Sequence, residues 1–297
     1  MQLLFLSNSI LSIFPVDLYH TYYNLLVLYS RFYFDGTDNT YIYSTDFYSP
    51  FRRILSKIFS KIKCRIINDG SGAIENQAIF GLHPHGLFPI GQLCNVTLYN
   101  CGKKEIADIC PQLRKNNVFG IAASFCFYVP IMRELMLLLG IIDCSRPNID
   151  KAIKEGKTIA VFMGGAKESE YSGIGRADLV IRKRRGIFEM AIENGIQLVP
   201  TYTFGENNLF TAYDFDILGI FAFLQRCTGI CWPRGLPTFL LPKFITIIGE
   251  PILVKKINKE KYTDKDVCEL REKYITEIKL LFEKYKHLDD TCKNTEM

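Results

Sequence analysis

Short apolar runs alternate with amphipathic helical patterns from residue 77 onward, and this alternation constrains the fold more than any other feature. The spacing predicts strands over 77–82, 118–124, 158–163, 197–203 and 244–249. It predicts helices over 87–99, 130–140, 148–155, 184–194 and 264–286. Because strands that alternate with helices are typical of crossover connections, we expect an α/β fold in which a mixed sheet is flanked by helices.

Two of these helices carry recognisable ends. The helix over 184–194 is followed by Gly195, and glycine most easily takes the left-handed conformation that ends a helix. The last helix is preceded by Thr263, with Asp266 three residues later, which is a variant of the capping box. These residues predict one helix end and one helix start.

The charge and the cysteines exclude several classes of protein. The 297 residues carry a net charge of only +5 and no known DNA-binding pattern, so we expect no nucleic-acid partner. Ten cysteines are scattered without a CxxC pair, which favours a reduced chain over a disulfide framework. With 48% hydrophobic residues, the chain is long and apolar enough to bury a sizeable core.

The N-terminal residues are the most apolar part of the chain. Residues 1–16 carry no charge and residues 21–30 are apolar and aromatic, but Asp17 and His20 interrupt them. Neither run reaches the roughly 20 residues that span a bilayer. We expect a hairpin or an interfacial anchor in the membrane, and a helix pair packed on the core is the alternative.

A polar, turn-rich connector over 34–50 separates this region from the rest. We therefore divide the chain into a membrane-associated segment with its connector, 1–50, and one catalytic domain, 51–297. The domain begins with a basic amphipathic pattern over 51–65, which predicts an entry helix. Such a helix suits an anionic membrane surface, where each cation adds about 1 kcal/mol to the binding free energy. An ordinary surface helix with solvated lysines fits the pattern equally well.

Two further stretches are apolar enough to contact lipid. Residues 118–142 contain the charged pair Arg133 and Glu134, which is expensive inside a bilayer, so we predict a buried strand followed by a helix. Residues 217–242 combine aliphatic residues with the only Trp and three prolines. That composition fits an interfacial lip over a lipid-binding groove, or a loop-rich part of the core.

The segment AIFGLHPHGLFPIG places His83 and His85 two residues apart in an apolar run. Pro84 favours extended backbone before it, so we expect both imidazoles on the same side. Gly86 allows a turn beside them, and the N–H groups of the following helix would suit an oxyanion. A histidine that acts as general base on an alcohol and a purely structural histidine pair both remain open.

Other uses of the two histidines lack the necessary partners. A metal site needs a third ligand, and the remaining histidines are His20 and His287, with no HExxH pattern, so we predict no metal. The Gly-x-Ser-x-Gly pattern of serine hydrolases is also absent.

Two more motifs point to chemistry. Gly164 and Gly165 follow a predicted strand and precede Glu168, a carboxylate that could orient an imidazole. Four consecutive cations then oppose the dipole at the start of helix 184–194, and a phosphate-rich ligand explains them better than helix stability does. These cations are Arg182, Lys183, Arg184 and Arg185. A solvated run of charges is the alternative.

Five blocks, in order and spacing, resemble the type-two diacylglycerol acyltransferase family, which includes monoacylglycerol and wax-alcohol acyltransferases. The blocks are FGLHPHG, IMRELMLLLGIIDCSR, VFMGGAKES, IRKRRGIFEMAIENGIQLVPTYTFGENN and ITIIGEPI, all within residues 77–288. The resemblance implies a glycerolipid-acyltransferase-like fold and fatty acyl transfer from coenzyme A to an acylglycerol or a long-chain alcohol. It also implies an endoplasmic reticulum membrane protein that faces the cytosol and reaches lipid droplets.

The resemblance also implies roles for the motif residues. We expect His85 to be the general base, His83 to support it, and Glu168 to hold the imidazole of His85. This carboxylate is expected because the His-x4-Asp motif of related acyltransferases is absent. Backbone N–H groups near Gly86, Gly164 or Gly165 are expected to stabilise the oxyanion. The cations at 182–185 are expected to bind the phosphates of coenzyme A.

The expected reaction is direct transfer to diacylglycerol, giving triacylglycerol, without a covalent intermediate. Acyl-CoA is the co-substrate, and no cofactor is expected. A monoacylglycerol or fatty-alcohol acceptor is the first alternative, and a non-catalytic lipid-binding protein of the membrane surface is the second. The expected partners are therefore fatty acyl-CoA, the acceptor lipid and membrane lipid.

Overall fold

The computed structural model describes residues 16–34, 54, 57, 62–72, 74, 76–97, 118–210, 219–228, 238 and 243–297. Seven strands among these residues form one sheet in the order β1-β7-β6-β2-β5-β3-β4. The strands are β1 (Cys64–Asn68), β2 (Ala78–His83), β3 (Val118–Ala122), β4 (Ile141–Asp143), β5 (Thr158–Phe162), β6 (Gln197–Phe204) and β7 (Phe244–Ile248). Neighbouring strands are parallel except β6 and β7, which are antiparallel. The predicted α/β fold with a mixed sheet is confirmed.

The helices precede, follow and connect these strands. They are α1 (Val16–Tyr33), α2 (Ile90–Gln92, continued by a π-helix at Leu93–Thr97), α3 (Phe125–Tyr128), α4 (Met132–Leu138), α5 (Arg146–Lys154), α6 (Ala166–Ser169), α7 (Gly186–Asn194), α8 (Ile220–Thr228) and α9 (Asp264–Tyr285). Short 3₁₀ helices follow at Glu206–Leu209 and Lys286–Leu288.

The sheet is covered on both faces, as the apolar character of its strands requires. On one face, buried side chains of α5, α7 and α9 pack against the sheet in the larger core cluster, which includes Ile79 of β2. On the other face, Phe80 and Leu82 of β2 pack with Val96 of the π-helix. Alternate residues of β2 therefore point to opposite faces, and Tyr274 of α9 lies on the same side as Ile79.

The five predicted strands are all confirmed, and two further strands were missed. The predicted entry helix over 51–65 is wrong at its end, because Cys64 and Arg65 belong to β1 and pair with β7 in parallel. Residues 54 and 57 are helical, and most of this predicted helix lies outside the described residues. β4 has only three residues, too few for a periodic signal, and it is held by pairing with β3.

The predicted helix ends are confirmed. Gly195 is left-handed, with φ at 69°. At the start of α9, the Thr263 N–H donates to Asp266 Oδ2 at 2.7 Å, and Thr263 Oγ1 accepts the Asp266 N–H at 3.4 Å. The strand-then-helix prediction for 118–142 also holds, although the helical part is divided into α3 and α4.

Helix α1 is joined to the α3–α4 region by side-chain hydrogen bonds. Tyr29 donates to Glu134 at 2.6 Å, and the Tyr33 hydroxyl donates to the Tyr128 carbonyl at 2.7 Å. Leu25 and Leu28 of α1 are exposed to solvent. None of the described helices combines the length and the apolarity needed to cross a bilayer. The rest of the predicted 1–50 segment, and most of 217–242 apart from α8, lies outside the described residues.

Candidate active site

The histidine motif and the glycine motif meet at the carboxyl ends of two adjacent parallel strands. β2 ends at His83 and β5 ends at Phe162, and Leu82 is in register with Phe162. The carboxyl edge of a parallel sheet is where α/β proteins usually bind ligands. The fold therefore brings together two motifs that are about 80 residues apart in sequence. The Glu168 side chain accepts the backbone N–H of His85, which is 83 residues away in sequence.

His83 is completely buried, and both of its ring nitrogens face polar groups. Nδ1 lies 3.4 Å from Glu168 Oε1, and Nε2 lies 3.1 Å from the hydroxyl of Tyr274. The Tyr274 hydroxyl also donates to the Gly81 carbonyl at 3.0 Å. Burial raises the pKa of Tyr274 well above its usual value, so this hydroxyl stays protonated. His83 thus has no nitrogen left for a substrate.

Gly81 makes room for this arrangement. A Cβ atom at this position would lie 2.0 Å from the Tyr274 hydroxyl oxygen, far closer than atoms can approach. Glycine inside a strand is unfavourable on propensity alone and marks a close approach by another group. The glycine in β2 is therefore explained by the close approach of Tyr274, which lies 193 residues away in sequence.

The Glu168 carboxylate ties three segments together from a buried position. Oε1 accepts the backbone N–H of His85 at 2.9 Å, and Oε2 accepts the backbone N–H of Val180 at 3.0 Å. Burial acts to raise the pKa of Glu168, but the His83 ring and the two N–H donors outweigh it and hold the pKa below its usual value. A Cβ atom on Gly164 would lie 2.0 Å from Oε2, so only glycine fits beside this carboxylate.

The imidazole of His85 has different neighbours. Its Nδ1 lies 2.8 Å from the Gly86 carbonyl oxygen and 2.8 Å from Ser169 Oγ, and its ring packs against Phe162 with centroids 4.7 Å apart. Since a carbonyl can only accept, this contact places the proton on Nδ1 and the lone pair on Nε2. Burial lowers the pKa of His85, against the hydrogen bond to Gly86 and the charge of Glu168. The neutral ring with an unprotonated Nε2 is therefore favoured.

This geometry corrects two expectations about the histidines. Glu168 contacts the backbone N–H of His85 and the ring of His83, whereas it was expected to hold the ring of His85. The two imidazoles were expected on the same side, but they have different neighbours. The physical reason is that strand alternation applies only to β2, which ends at His83, and His85 lies beyond it in a turn.

The turn at Gly86 rests on a buried carboxyl group, Glu206. Gly86 has φ at 62°, and a Cβ atom there would lie 3.0 Å from Glu206 Cγ. The carboxyl group of Glu206 accepts the N–H groups of Gly91 at 3.0 Å and Gln92 at 3.1 Å. Burial raises the pKa of Glu206 to about 8, against these two hydrogen bonds. Glu206 belongs to the FGENN block, but the sequence indicated no role for it.

The four cations at 182–185 are not one cluster in space. Arg184 donates to the Gly164 carbonyl and so holds the glycine turn. Arg185 forms salt bridges with Glu189 and Asp264. Arg182 and Lys183 are exposed and line a cavity beside α9.

The neighbouring glycine has its backbone donor in use. The Gly165 N–H donates to the Phe162 carbonyl at 3.0 Å, and Gly165 has φ at 57°. Of the three glycines expected to bind an oxyanion, this one is therefore the least available. Within the described parts of the chain, no three His, Cys, Asp or Glu side chains come together as metal ligands.

Besides Glu206, three site residues were missed by sequence reasoning: Ser169, Tyr274 and Val180. Ser169 stands next to Glu168, but α6 was not predicted. Tyr274 lies within the predicted helix over 264–286, where the sequence gives it no separate role, and Gly81 was the available signal for it. Val180 donates its backbone N–H, and any residue type other than proline could do the same, so the sequence does not reveal this contact.

The arrangement brings the histidine, glycine and FGENN blocks around one point, in agreement with the resemblance drawn from the sequence. The sequence matches the Diacylglycerol acyltransferase family over residues 16–297. The chain belongs to this family.

Named relatives in this family act on two kinds of acceptor, as their names state. Diacylglycerol O-acyltransferase 2 of Dictyostelium discoideum is 29% identical, over 75% of this chain and 69% of that protein. Diacylglycerol O-acyltransferase 2 of Danio rerio is 32% identical, over 70% of this chain and 60% of that protein. The 2-acylglycerol O-acyltransferase 3 of Homo sapiens is 30% identical, over 71% of this chain and 65% of that protein.

The chain therefore spans about 60–69% of the length of these relatives. No solved structure matches the chain.

Proposed function

We propose that this chain transfers a fatty acyl group from coenzyme A to the free hydroxyl of diacylglycerol, giving triacylglycerol, with His85 as general base. The observation that carries the proposal is the tether of His85. Its Nδ1 is held by the Gly86 carbonyl and Ser169, and no polar group of the described residues engages Nε2. A half-buried imidazole with one fixed and one free nitrogen suits proton abstraction from an alcohol.

In the proposed reaction, Nε2 of His85 accepts the proton of the acceptor hydroxyl as its oxygen attacks the thioester carbonyl carbon. The tetrahedral intermediate breaks its C–S bond, and the imidazolium returns the proton to the departing CoA thiolate. The products are an ester and the free thiol, and no acyl group is attached to the protein. Such a base typically contributes roughly 10²- to 10⁴-fold to the rate.

Glycine N–H groups supply the proposed oxyanion site. Gly86 and Gly164 flank the imidazole and the Glu168 carboxylate, and backbone N–H groups need no reorganisation as the charge develops. The step needs acyl-CoA as co-substrate and no metal or bound cofactor, so a chelator is expected to leave the rate unchanged.

Diacylglycerol is the proposed acceptor because relatives named for it, 29% and 32% identical, match most of this chain. The relative named for 2-acylglycerol is 30% identical, which keeps a monoacylglycerol as the second candidate. A fatty alcohol, giving a wax ester, is the third. All three present a primary or secondary hydroxyl to the same base.

The proposed location is the endoplasmic reticulum membrane, with the site facing the cytosol and access to lipid droplets. Both the acyl chain and the acceptor are lipids, so the enzyme must meet them at a lipid surface. Exposed apolar side chains on α1 (Leu25, Leu28) and on α8 (Ile220, Phe223) support this location.

The proposal is tested in membranes from cells that lack neutral-lipid synthesis. Labelled acyl-CoA is supplied with diacylglycerol, monoacylglycerol and fatty alcohol in competition, and triacylglycerol is expected as the main product. His85→Ala is expected to lower the rate roughly 10²- to 10⁴-fold. His287→Ala, a histidine far along the chain, is the matched control. Undiminished ester formation by His85→Ala would refute the base, and a different main product would reassign the acceptor.

A further inference from the structure

A cavity of about 410 Å³ lies between the segment 178–183 and helix α9. Its apolar lining includes Ile181, Ile275 and Ile278, which are buried in the core. Its polar lining includes four cations, Lys167, Arg182, Lys183 and Lys279. An apolar floor with a cationic rim suits a ligand that has both a flat organic group and anionic groups.

The cations of this rim differ from those just outside it. Lys167, Lys183 and Lys279 are exposed, and no acid among the described residues forms a salt bridge with them. Arg182 reaches Glu272 only at 3.9 Å. The neighbouring Arg185, by contrast, is paired with two acids. The rim therefore holds positive charge that forms no salt bridge with the acids of the described residues beyond the Arg182–Glu272 contact, although Asp178 also lines the cavity.

An aromatic ring completes the cavity. Tyr171 lines it and is 40% exposed. Exposed aromatic rings and guanidinium groups stack on nucleobases, and lysines and arginines bind phosphates by charge-assisted hydrogen bonds. Tyr171 and Arg182 line the same cavity as the three lysines, and together these side chains suit an adenine nucleotide with several phosphates.

The cavity is connected to the active site through the backbone. Lys167 directly precedes Glu168, and Val180, which also lines the cavity, donates its N–H to Glu168 Oε2 at 3.0 Å. Glu168 in turn accepts the N–H of His85 at 2.9 Å. A ligand held here lies against the segments that position the base.

We propose that this cavity binds the phosphorylated adenosine end of acyl-CoA, with Lys167, Arg182, Lys183 and Lys279 on its phosphates and Tyr171 against its base. This inference rests on the proposed function. It reassigns the nucleotide contacts, since Lys167 and Lys279 replace Arg184 and Arg185, which hold protein groups. The long pantetheine arm of coenzyme A separates the nucleotide from the thioester, so the two ends occupy different parts of the protein.

The test is binding of adenosine 3′,5′-bisphosphate, which has no thioester, to the full chain in detergent. The Lys183→Ala/Lys279→Ala variant is expected to bind it roughly tenfold or more weakly, because it lacks two charge-assisted contacts. Lys265→Ala/Lys273→Ala is the matched control, since both lysines lie on α9, are exposed, and do not line the cavity. The same loss is expected in the KM for acyl-CoA, with kcat unchanged.

Each outcome separates this inference from the proposed function. If the cavity variant binds the nucleotide and acyl-CoA as the control does, the cavity assignment is overturned while acyl transfer stands. If nucleotide binding is lost in the variant but the wild type transfers no acyl group, the cavity stands and the function fails. Vesicles with anionic phospholipid form a second arm, and preferential binding of these vesicles over the nucleotide would overturn the assignment. Thermal unfolding of each variant verifies that it is folded.

Discussion

His83 and His85 stand two residues apart and have opposite surroundings. His83 is 0% exposed, and both of its nitrogens face protein groups, Glu168 and Tyr274. His85 is half-buried and is held through Nδ1 alone. The difference shows that adjacent members of one motif can divide their tasks, because one completes a buried network and the other keeps a free nitrogen. The predictions below test this division, from the largest expected effect to the smallest.

Replacing His83 by alanine is expected to destabilise the protein by about 3–5 kcal/mol, because the buried Glu168 carboxylate loses the His83 ring and keeps only two backbone N–H donors. The measurement is the unfolding free energy of the detergent-solubilised protein. His85→Ala is the matched control and is expected to change it by no more than about 1 kcal/mol. Equal destabilisation by the two variants would remove the distinction between the histidines.

Replacing Tyr274 by phenylalanine is expected to cost about 1–3 kcal/mol of stability, since His83 Nε2 and the Gly81 carbonyl lose a buried hydrogen-bond partner. kcat is expected to fall while the KM for acyl-CoA stays unchanged, because the network positions the base and does not touch the nucleotide. The control is Tyr262→Phe, whose hydroxyl donates to Glu193 at 3.0 Å in a less buried place. A Tyr274→Phe protein with wild-type stability and kcat would show that the network is dispensable.

Replacing Ser169 by alanine removes one of two groups at His85 Nδ1 and leaves the Gly86 carbonyl. Loss of one hydrogen bond of about 0.5–1.5 kcal/mol corresponds to a roughly two- to tenfold lower kcat. The control is Ser172→Ala. Ser172 is three residues after Ser169, and its hydroxyl donates to Asn207 Oδ1. If kcat stays at the wild-type value in the Ser169 variant, or falls equally in both variants, Ser169 has no part in orienting the base.

The smallest expected effect is on the pH dependence of kcat/KM. Burial lowers the pKa of His85 below its usual value, which is about 6.5 for histidine. The base acts when it is unprotonated, so activity is retained above this lowered pKa and lost only as the pH falls through it. The acidic limb of kcat/KM is therefore expected below about pH 6.5. A limb centred at pH 7 or above would contradict the assignment of His85 as a shielded base.

The strands and helices could be predicted where the sequence is periodic and fully buried. β2 and β5 are mostly apolar and β6 is almost wholly buried because both faces of the sheet are covered, and α9 buries residues at helical spacing behind a capping residue. β1 and β4 could not be predicted in this way. β1 follows a basic amphipathic pattern, and its strand conformation comes from pairing with β7, about 180 residues away by the register of Cys64 with Phe244.

The candidate site was only partly visible in the sequence. His83, His85, Glu168 and the glycines were found because their residue types and order are distinctive. Apart from Glu168, the partners of the imidazoles were not found, since they are Ser169 of α6, Tyr274 of α9 and a backbone carbonyl. The run 182–185 was misleading as a unit, because consecutive residues at a helix start point in different directions.

The sequence by itself determined the family, the alternating α/β order and the two motifs that carry the chemistry, because residue type and periodicity record burial and local conformation. Only the tertiary structure decided which histidine keeps a free nitrogen. That choice depends on Tyr274, which lies 191 residues from His83, and on where β2 ends. Contacts between distant segments are fixed by the packing of α9 on the sheet, and no local pattern around the two histidines encodes them.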